Sequence, residues 1–378
     1  MKILFDHQIF SRQKYGGVSR YFSHLIEALP KHSEVEVALS AQVTSNQYLS
    51  KKSTDTPSAT HRHVKRRALE TLKKSEAVKN TYDRVKKYVN KKSSIKMIRA
   101  GEYDIFHPTW VDPYFLSHLN GKPFVVTIHD TIHKIYPHYF SNAEHTVRNM
   151  KVLLEHASGI IAISEHTKND VVRHFSVEPE LIHVVHHGCH LDFSREKAVV
   201  VQTPFILFVG GRGQYKNFTF FIEAVYKTLL ENKICVVCVG GGLFTESERA
   251  QFASLGITNL MIQTDATDEE LVYLYKHAEL FVFPSLYEGF GVPILEAWSG
   301  GCPLILSNAS CFPEIAGEAG LYFDTGDKDS LKGCVERVLR DKVCREELIR
   351  RGSERLTLFS KEECVTKTLA VYQKVLGG

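Results

Sequence analysis

The sequence predicts an α/β protein of two doubly wound domains, each a parallel sheet covered by helices on both faces, set across a cleft. Three observations carry this. Apolar runs of four to seven residues alternate with helical patterns almost from end to end, as strands buried on both faces require. The alternation pauses at a polar stretch near residues 190 to 204 and starts afresh with "PFILFVGG". The 378 residues, 43% hydrophobic and 24% charged, suffice for two ordinary cores and match no disordered or fibrous composition.

"KILFD" reads as the first strand, and Val18, Phe22, Leu25 and Leu29 mark a helix after it. "VEVALS" is a second strand, and "YDIFHP" and "PFVVTIHD" follow a long basic region. "GIIAIS" and "LIHVVHHG" flank a helix for which Ser164 is a suitable N-cap. The second half then reads "PFILFVGG", "ICVVCVGGG", "NLMIQT", "LFVFPS", "PLILSN" and "GLYFD", each with a helical segment behind it. The expected division is 1–190, 191–360 and a terminal helix within 361–378.

Composition narrows the function. The N-terminus "MKILFDHQIF" is apolar for only three residues before Asp6 and His7, too few for a signal peptide. No run approaches the roughly 18 apolar residues of a membrane span. The expectation is a cytoplasmic protein, free or held on the inner face of a membrane. Cys235 and Cys238 form a C-x-x-C, but on a strand pattern that points them to opposite faces, with no second pair at ligand spacing. They read as structural thiols of a reducing compartment, and no metal site is expected. Residues 51–99 hold 16 Lys+Arg against 4 Asp+Glu, a net of +12 in a chain of +4. Val78, Tyr82, Val85 and Val89 recur there at helical spacing, giving an apolar stripe on a basic helix. Two readings stand: a solvated helix packed on its own domain, or a surface in segment 61–99 for anionic lipid or a lipid-diphosphate acceptor. No nucleic-acid motif accompanies the charge.

Ligands of doubly wound sheets sit outside the carboxyl ends of the strands, so those ends carry the chemistry. Gly16 and Gly17 precede a helix whose free N–H groups suit an anion, though a tight turn alone would also explain them. Gly210 and Gly211, then Arg212 and Lys216, place two cations after a strand, as a diphosphate needs. "PSLYEGFGVPILEAWSGG" sets Glu288 on a loop and Glu296 one turn into a helix that begins near Val292 and Pro293. The Gly289-Phe290-Gly291 turn lets backbone N–H groups approach a ligand. Each glutamate can accept two hydrogen bonds from vicinal hydroxyls, which suits one to a transferred sugar and the other to a ribose. "FVVTIHDTIH" ends a strand of the first half with His129 and Asp130; the histidine fits either packing or chemistry.

These residues carry a resemblance. The chain resembles the glycosyltransferases of family 4, whose GT-B architecture is two Rossmann-like domains, and the likeness extends over essentially its whole length. "YGGVSRYF", "TIHD", "GGRGQYKN" and the E-x7-E of "EGFGVPILE" occur in the family's order. The resemblance implies a transferase without metal or other cofactor that takes a sugar from a nucleotide-diphosphate donor and retains its anomeric configuration. Arg212 and Lys216 would then hold the diphosphate, aided by the backbone at Gly17. Glu296 would bind ribose, and Glu288 with Gly289 to Gly291 the donor sugar. His129 would lie beside the reacting bond, and the base would meet Thr264, Asp265 and Ala266. The segments "FDHQIF" and "TIHDTIHKIYPHYF" are most similar to members that build bacterial surface polysaccharide such as O-antigen or capsule. That implies GDP-mannose before UDP-sugars, and a glycan or polyprenyl-diphosphate-linked acceptor.

Rival readings are weaker. Asp327 and Asp329 form a D-x-D, a metal-holding pattern in another transferase class, yet turn and N-cap duty accounts for both. A nicotinamide oxidoreductase should show G-x-G-x-x-G, which is absent here. A catalytically inactive nucleotide- or sugar-binding scaffold shares the fold but would be free to lose Arg212, Lys216, Glu288 and Glu296, all present.

Overall fold

A computed structural model of the chain describes residues 1–50, 76–201 and 204–377. Every apolar run named above forms a strand. The first half contributes β1 (Lys2–Phe5), β2 (Glu36–Leu39), β3 (Ile105–His107), β4 (Val125–Ile128), β5 (Gly159–Ala162) and β6 (Ile182–Val184). They pair in parallel as β2-β1-β3 and β4-β5-β6, and a parallel bridge from Phe106 to Phe124 joins the two sets. The second half contributes β7 (Phe205–Val209), β8 (Cys235–Val239), β9 (Met261–Thr264), β10 (Leu280–Phe283), β11 (Leu304–Ser307) and β12 (Leu321–Phe323). These form one parallel sheet in the order β12-β11-β10-β7-β8-β9. Its order reverses between β7 and β10, which opens a crevice at their carboxyl ends.

The strands are short, and the inner ones are buried on both faces, so their residues divide between two helical layers, while β2, β6, β9 and β12 at the edges are only partly buried. Cys235 joins one core and Cys238 the other, as their alternation on β8 requires, and neither forms a disulfide. Ser164 caps the helix Glu165–Phe175 by accepting from the Thr167 N–H. Asp327 caps Lys328–Arg340 by accepting from the Asp329 and Ser330 N–H groups, which accounts for the D-x-D.

The basic helix, Glu76–Ala100, packs the other way round from its apolar stripe. Lys86, Asn90, Ser94 and Ile98 face inward, while Val85 and Tyr88 are 55% and 67% exposed. Hydrogen bonds decide this. The Asn90 carboxamide accepts from the Gln42 and Val43 N–H groups and donates to Val43 O, and Ser94 bonds Ser40 at 2.5 Å. The part of the basic stretch at 51–75 lies outside the described residues.

The last helix, Lys361–Gly377, leaves the second half and packs on β5 of the first. Its Val375 lies so close to Gly159 that a Cβ there would come within 2.8 Å of it. Tyr372, fully buried, bonds His107 Nδ1 at 2.6 Å, and His107 Nε2 bonds Thr127 Oγ1 at 2.9 Å. Tyr372→Phe should leave a buried nitrogen unpaired and cost about 1–3 kcal/mol. Urea unfolding checks this through a lowered midpoint at unchanged slope.

Candidate functional site

The crevice between β7 and β10 is built by two strand-end loops. After β7 a short turn, Gln214–Lys216, leads to Asn217, whose left-handed backbone (φ 56°) starts the helix Phe218–Asn232. After β10 comes the Glu288 loop, and the Leu286 N–H donates to Tyr215 O at 2.7 Å, tying the loops together. Lys216 Nζ consequently meets Glu288 Oε1 at 2.5 Å. The ammonium also lies over the rings of Tyr215 and Phe283. Burial works against its charge, but Glu288 and then Tyr215 outweigh this and raise its pKa. Ser310 fixes Glu288 from behind, accepting from its N–H and donating to its carbonyl, both at 2.9 Å.

Gly291, with φ 87°, precedes Val292 and the helix Val292–Ser299, with Pro293 in its first turn. Phe290 turns its ring into the core against His187 and Phe359, so only its backbone remains for a ligand. Gly289 presses on the first half: a Cβ there would stand 1.7 Å from His129 O. Its carbonyl accepts from Ser164 Oγ at 2.6 Å and Thr167 Oγ1 at 3.2 Å. His129 and Asp130 therefore abut the Glu288 loop.

The His129 ring packs on Tyr21, Phe22 and His187, and its Nε2 is buried without a protein partner. Burial, followed by His107, pushes its pKa down to about 3, so it is neutral at physiological pH. Asp130 accepts from the Ile132 N–H at 3.1 Å, and burial pushes its carboxyl up. Trp110, His133 and Met150 line a small pocket beside the pair.

Glu296 is 4% exposed. Its Oε2 accepts from Tyr275 at 3.0 Å and its Oε1 from Arg20 at 2.9 Å. Burial raises the pKa of Glu296, with Arg20 pulling the other way. Arg20 lies in the first turn of the helix Gly17–Ala28, behind Gly16, so that turn of the helix stands across from Glu296 and Asp268. Thr264 ends β9, Asp265 is exposed and Ala266 partly buried, and the next helix begins at Asp268, which also pairs with Arg20.

Arg212 is placed differently from Lys216. The two cations hold different partners. Nε of Arg212 donates to Glu248 at 2.7 Å, and its terminal nitrogens donate to the carbonyls of Gly240, Gly242 and Leu243. Gly240, Gly241 and Gly242 all have positive φ and wrap the guanidinium, where a Cβ on Gly241 would clash at 2.8 Å. Gly211 has open space around it.

Sequence reasoning missed Arg20, Tyr287 and Glu314, which all reach across the cleft. The Tyr287 hydroxyl bonds Thr131 at 2.9 Å and Asp170 at 2.5 Å. The Glu314 carboxylate accepts from the Glu165 and His166 N–H groups at 2.8 Å each and meets His186 at 2.9 Å. Only Arg20 left a signal: a cation in the first turn of a helix opposes the dipole and needs a reason.

Two family descriptions divide the chain. Glycosyltransferase Family 4 matches residues 15–193, and Glycosyl transferases group 1 matches residues 192–355. The chain belongs to this glycosyltransferase family. Among its relatives is the O-antigen chain mannosyltransferase B of Escherichia coli, 28% identical over 276 residues, 69% of this chain and 72% of that one. The MMP alpha-(1->4)-mannosyltransferase of Mycolicibacterium hassiacum is 28% identical over 222 residues, 57% of this chain and 54% of that one. The crystal structure of Anabaena Alr3699/HepE in complex with UDP-glucose superposes with a TM-score of 0.70 over 98% of this glycosyltransferase and 99% of that chain, at 18% identity. The shared architecture is GT-B.

The buried rings give a pH signature. His107 and His129 both have pKa values pushed from 6.5 to about 3, by burial first. The unfolded chain therefore binds more protons below pH 6.5, and the fold loses stability as pH drops from 6.5 toward 3. Each such ring contributes a slope of up to about 1.4 kcal/mol per pH unit. Urea midpoints measured from pH 7 to 5 should fall, and fall less steeply in His107→Gln.

Proposed function

We propose that this glycosyltransferase moves mannose from GDP-mannose to a glycan carried on a lipid diphosphate, with retention of configuration and without a metal, in bacterial O-antigen or capsule assembly. The observation that carries this reading is the Lys216–Glu288 pair at the reversal of sheet order, facing the Gly17 helix, His129 and Asp130 of the first half. In this reading residues 1–190 serve the acceptor and 191–360 the donor. The mannosyltransferase relatives favour mannose. The neighbour named for its complex with UDP-glucose supports a second reading, in which the donor is a UDP-sugar.

Cleaving the donor puts positive charge on the sugar and negative charge on the leaving diphosphate. Lys216 and the N–H groups at Gly17 and at Gly289 to Gly291 answer the latter. Glu288 holds sugar hydroxyls, Glu296 the ribose, and Thr264 to Ala266 border the base. Arg212 shapes the crevice through the Gly240–Leu243 loop it holds. The acceptor oxygen bonds C1 on the face the phosphate leaves, and its proton passes to the leaving phosphate oxygen. His129, uncharged, offers a hydrogen bond and not a proton.

No helix among the described residues is long and apolar enough to cross a membrane. The outward Val85, Tyr88 and Val89 alternate with Arg84, Lys87, Lys91 and Lys92 on the basic helix. This supports attachment to an anionic membrane on the cytoplasmic side.

Purified protein should transfer mannose from GDP-mannose in excess EDTA. Lys216→Ala and Glu288→Ala should each lower kcat/KM by about 100-fold or more. Transfer from UDP-glucose instead selects the second reading, wild-type rates in both variants place the site elsewhere, and a donor panel with no transfer at all leaves an inactive scaffold. A separate check is sedimentation with vesicles of one-third phosphatidylglycerol: the protein should pellet, and a Lys87→Glu/Lys91→Glu/Lys92→Glu variant should stay in solution at about 0.15 M salt, since each lost cation removes about 1 kcal/mol.

A further inference from the structure

Arg20 makes a bridge that neither the fold nor the crevice chemistry demands. It sits in the first turn of the helix Gly17–Ala28, yet its guanidinium is spent on the other half of the molecule. Its two terminal nitrogens reach Glu296 at 2.9 Å and Asp268 at 2.7 Å, and Tyr48 covers its face. A cation in the first turn of a helix opposes the dipole, so these contacts must outweigh that.

The geometry around Glu296 gives the bridge a purpose. The carboxylate is almost fully buried, and each oxygen has one fixed partner, Arg20 on Oε1 and Tyr275 on Oε2. An ionised carboxylate has about four acceptor positions, so one lone pair on each oxygen remains free. A carboxylate held at both oxygens, with acceptor capacity left on each, matches the two O–H donors of a vicinal diol. Tyr275 belongs to the same half as Glu296, whereas Arg20 arrives only when the two halves are together.

We propose that Arg20 is a positioning residue for nucleotide recognition: crossing the cleft, it orients Glu296 to receive the ribose hydroxyls and so makes affinity for the ribose depend on the closed arrangement. The inference rests on the reading of Glu296 as the ribose carboxylate. Asp268 holds the second nitrogen of Arg20 and fixes the angle from which the guanidinium meets Glu296. Arg20 thereby links the helix that faces the diphosphate to the residue that reads the sugar next to it.

The test is a binding cycle by titration calorimetry with GDP, 2′,3′-dideoxy-GDP and inorganic pyrophosphate, with the uridine pair in parallel. Wild type should bind the ribonucleotide about 10- to 100-fold more tightly than its dideoxy counterpart. In Arg20→Ala that preference should shrink to a few-fold, while affinity for the dideoxy nucleotide and for pyrophosphate stays within about threefold of wild type. Arg20→Lys keeps the charge without the fork and should fall between the two. Asp268→Asn, at a half-exposed position that folding tolerates, should move the preference in the same direction by a smaller factor.

An Arg20→Ala protein that melts like wild type and keeps the full preference overturns the inference. So does an equal loss for GDP and pyrophosphate, which would make Arg20 a phosphate ligand. A wild type that does not distinguish the ribonucleotide from the dideoxy form, or a Glu296→Gln variant that keeps the distinction, removes the ribose assignment itself, and the inference with it.

Discussion

The two halves meet through a contact that admits no side chain. Gly289 lies against the carbonyl of His129 so closely that even a methyl group would overlap the oxygen. Its own carbonyl is held by the hydroxyls of Ser164 and Thr167, one of which also caps the helix Glu165–Phe175. Once that backbone is seated, Glu288 on one side and Phe290 on the other have little freedom. Phe290 drops between His187 and Phe359, and Glu288 turns toward Lys216. The glycines of this loop are thus required by contact with the facing strand end as well as by the turn at Gly291.

Around that contact, the cross-cleft bonds are polar. Glu314 satisfies two N–H groups that begin the Glu165–Phe175 helix, which otherwise lack partners within the helix. The partners of Glu314 hold its carboxyl below its ordinary pKa even though burial alone would raise it. Tyr287 is shared between Thr131 and Asp170. An interface built this way is specific in geometry, because each buried polar group would be costly to leave unpaired.

The twelve strands of the described residues were legible as short apolar runs, continuous where burial on both faces writes them so. The caps at Ser164 and Asp327 were legible for a related reason: N-capping is local, and the residue types and spacing are visible in the chain. What the chain does not write locally is direction. Val85 and Val89 share a helical stripe, but periodicity does not say which stripe faces in, and the hydrogen bonds of Asn90 and Ser94 settled it against them. Arg212 and Lys216 are four residues apart after one strand, yet the turn sends the first toward the loop beyond β8 and the second toward β10. Arg20, Tyr287 and Glu314 depend on partners 117 to 276 positions away in the chain, and no local pattern encodes those.

The charges of the crevice share one property that bears on how it recognises a ligand. Each of its three cations is already paired: Lys216 with Glu288, Arg212 with Glu248, and Arg20 with Glu296 and Asp268. A buried cation without a partner would be expensive, so pairing keeps the groups charged and in place before a ligand arrives. The pairs at Lys216 and Glu296 also retain capacity, since an ammonium has three donors and a carboxylate about four acceptor positions. A bare phosphate would use the donor side and repel the carboxylate beside it. A ligand carrying phosphates next to hydroxyls satisfies both sides at once, the phosphate on the ammonium and the hydroxyls on the carboxylates. On the reading proposed above, an arrangement of cation beside carboxylate selects by the adjacency of phosphate and diol, the chemical pattern of a nucleotide sugar.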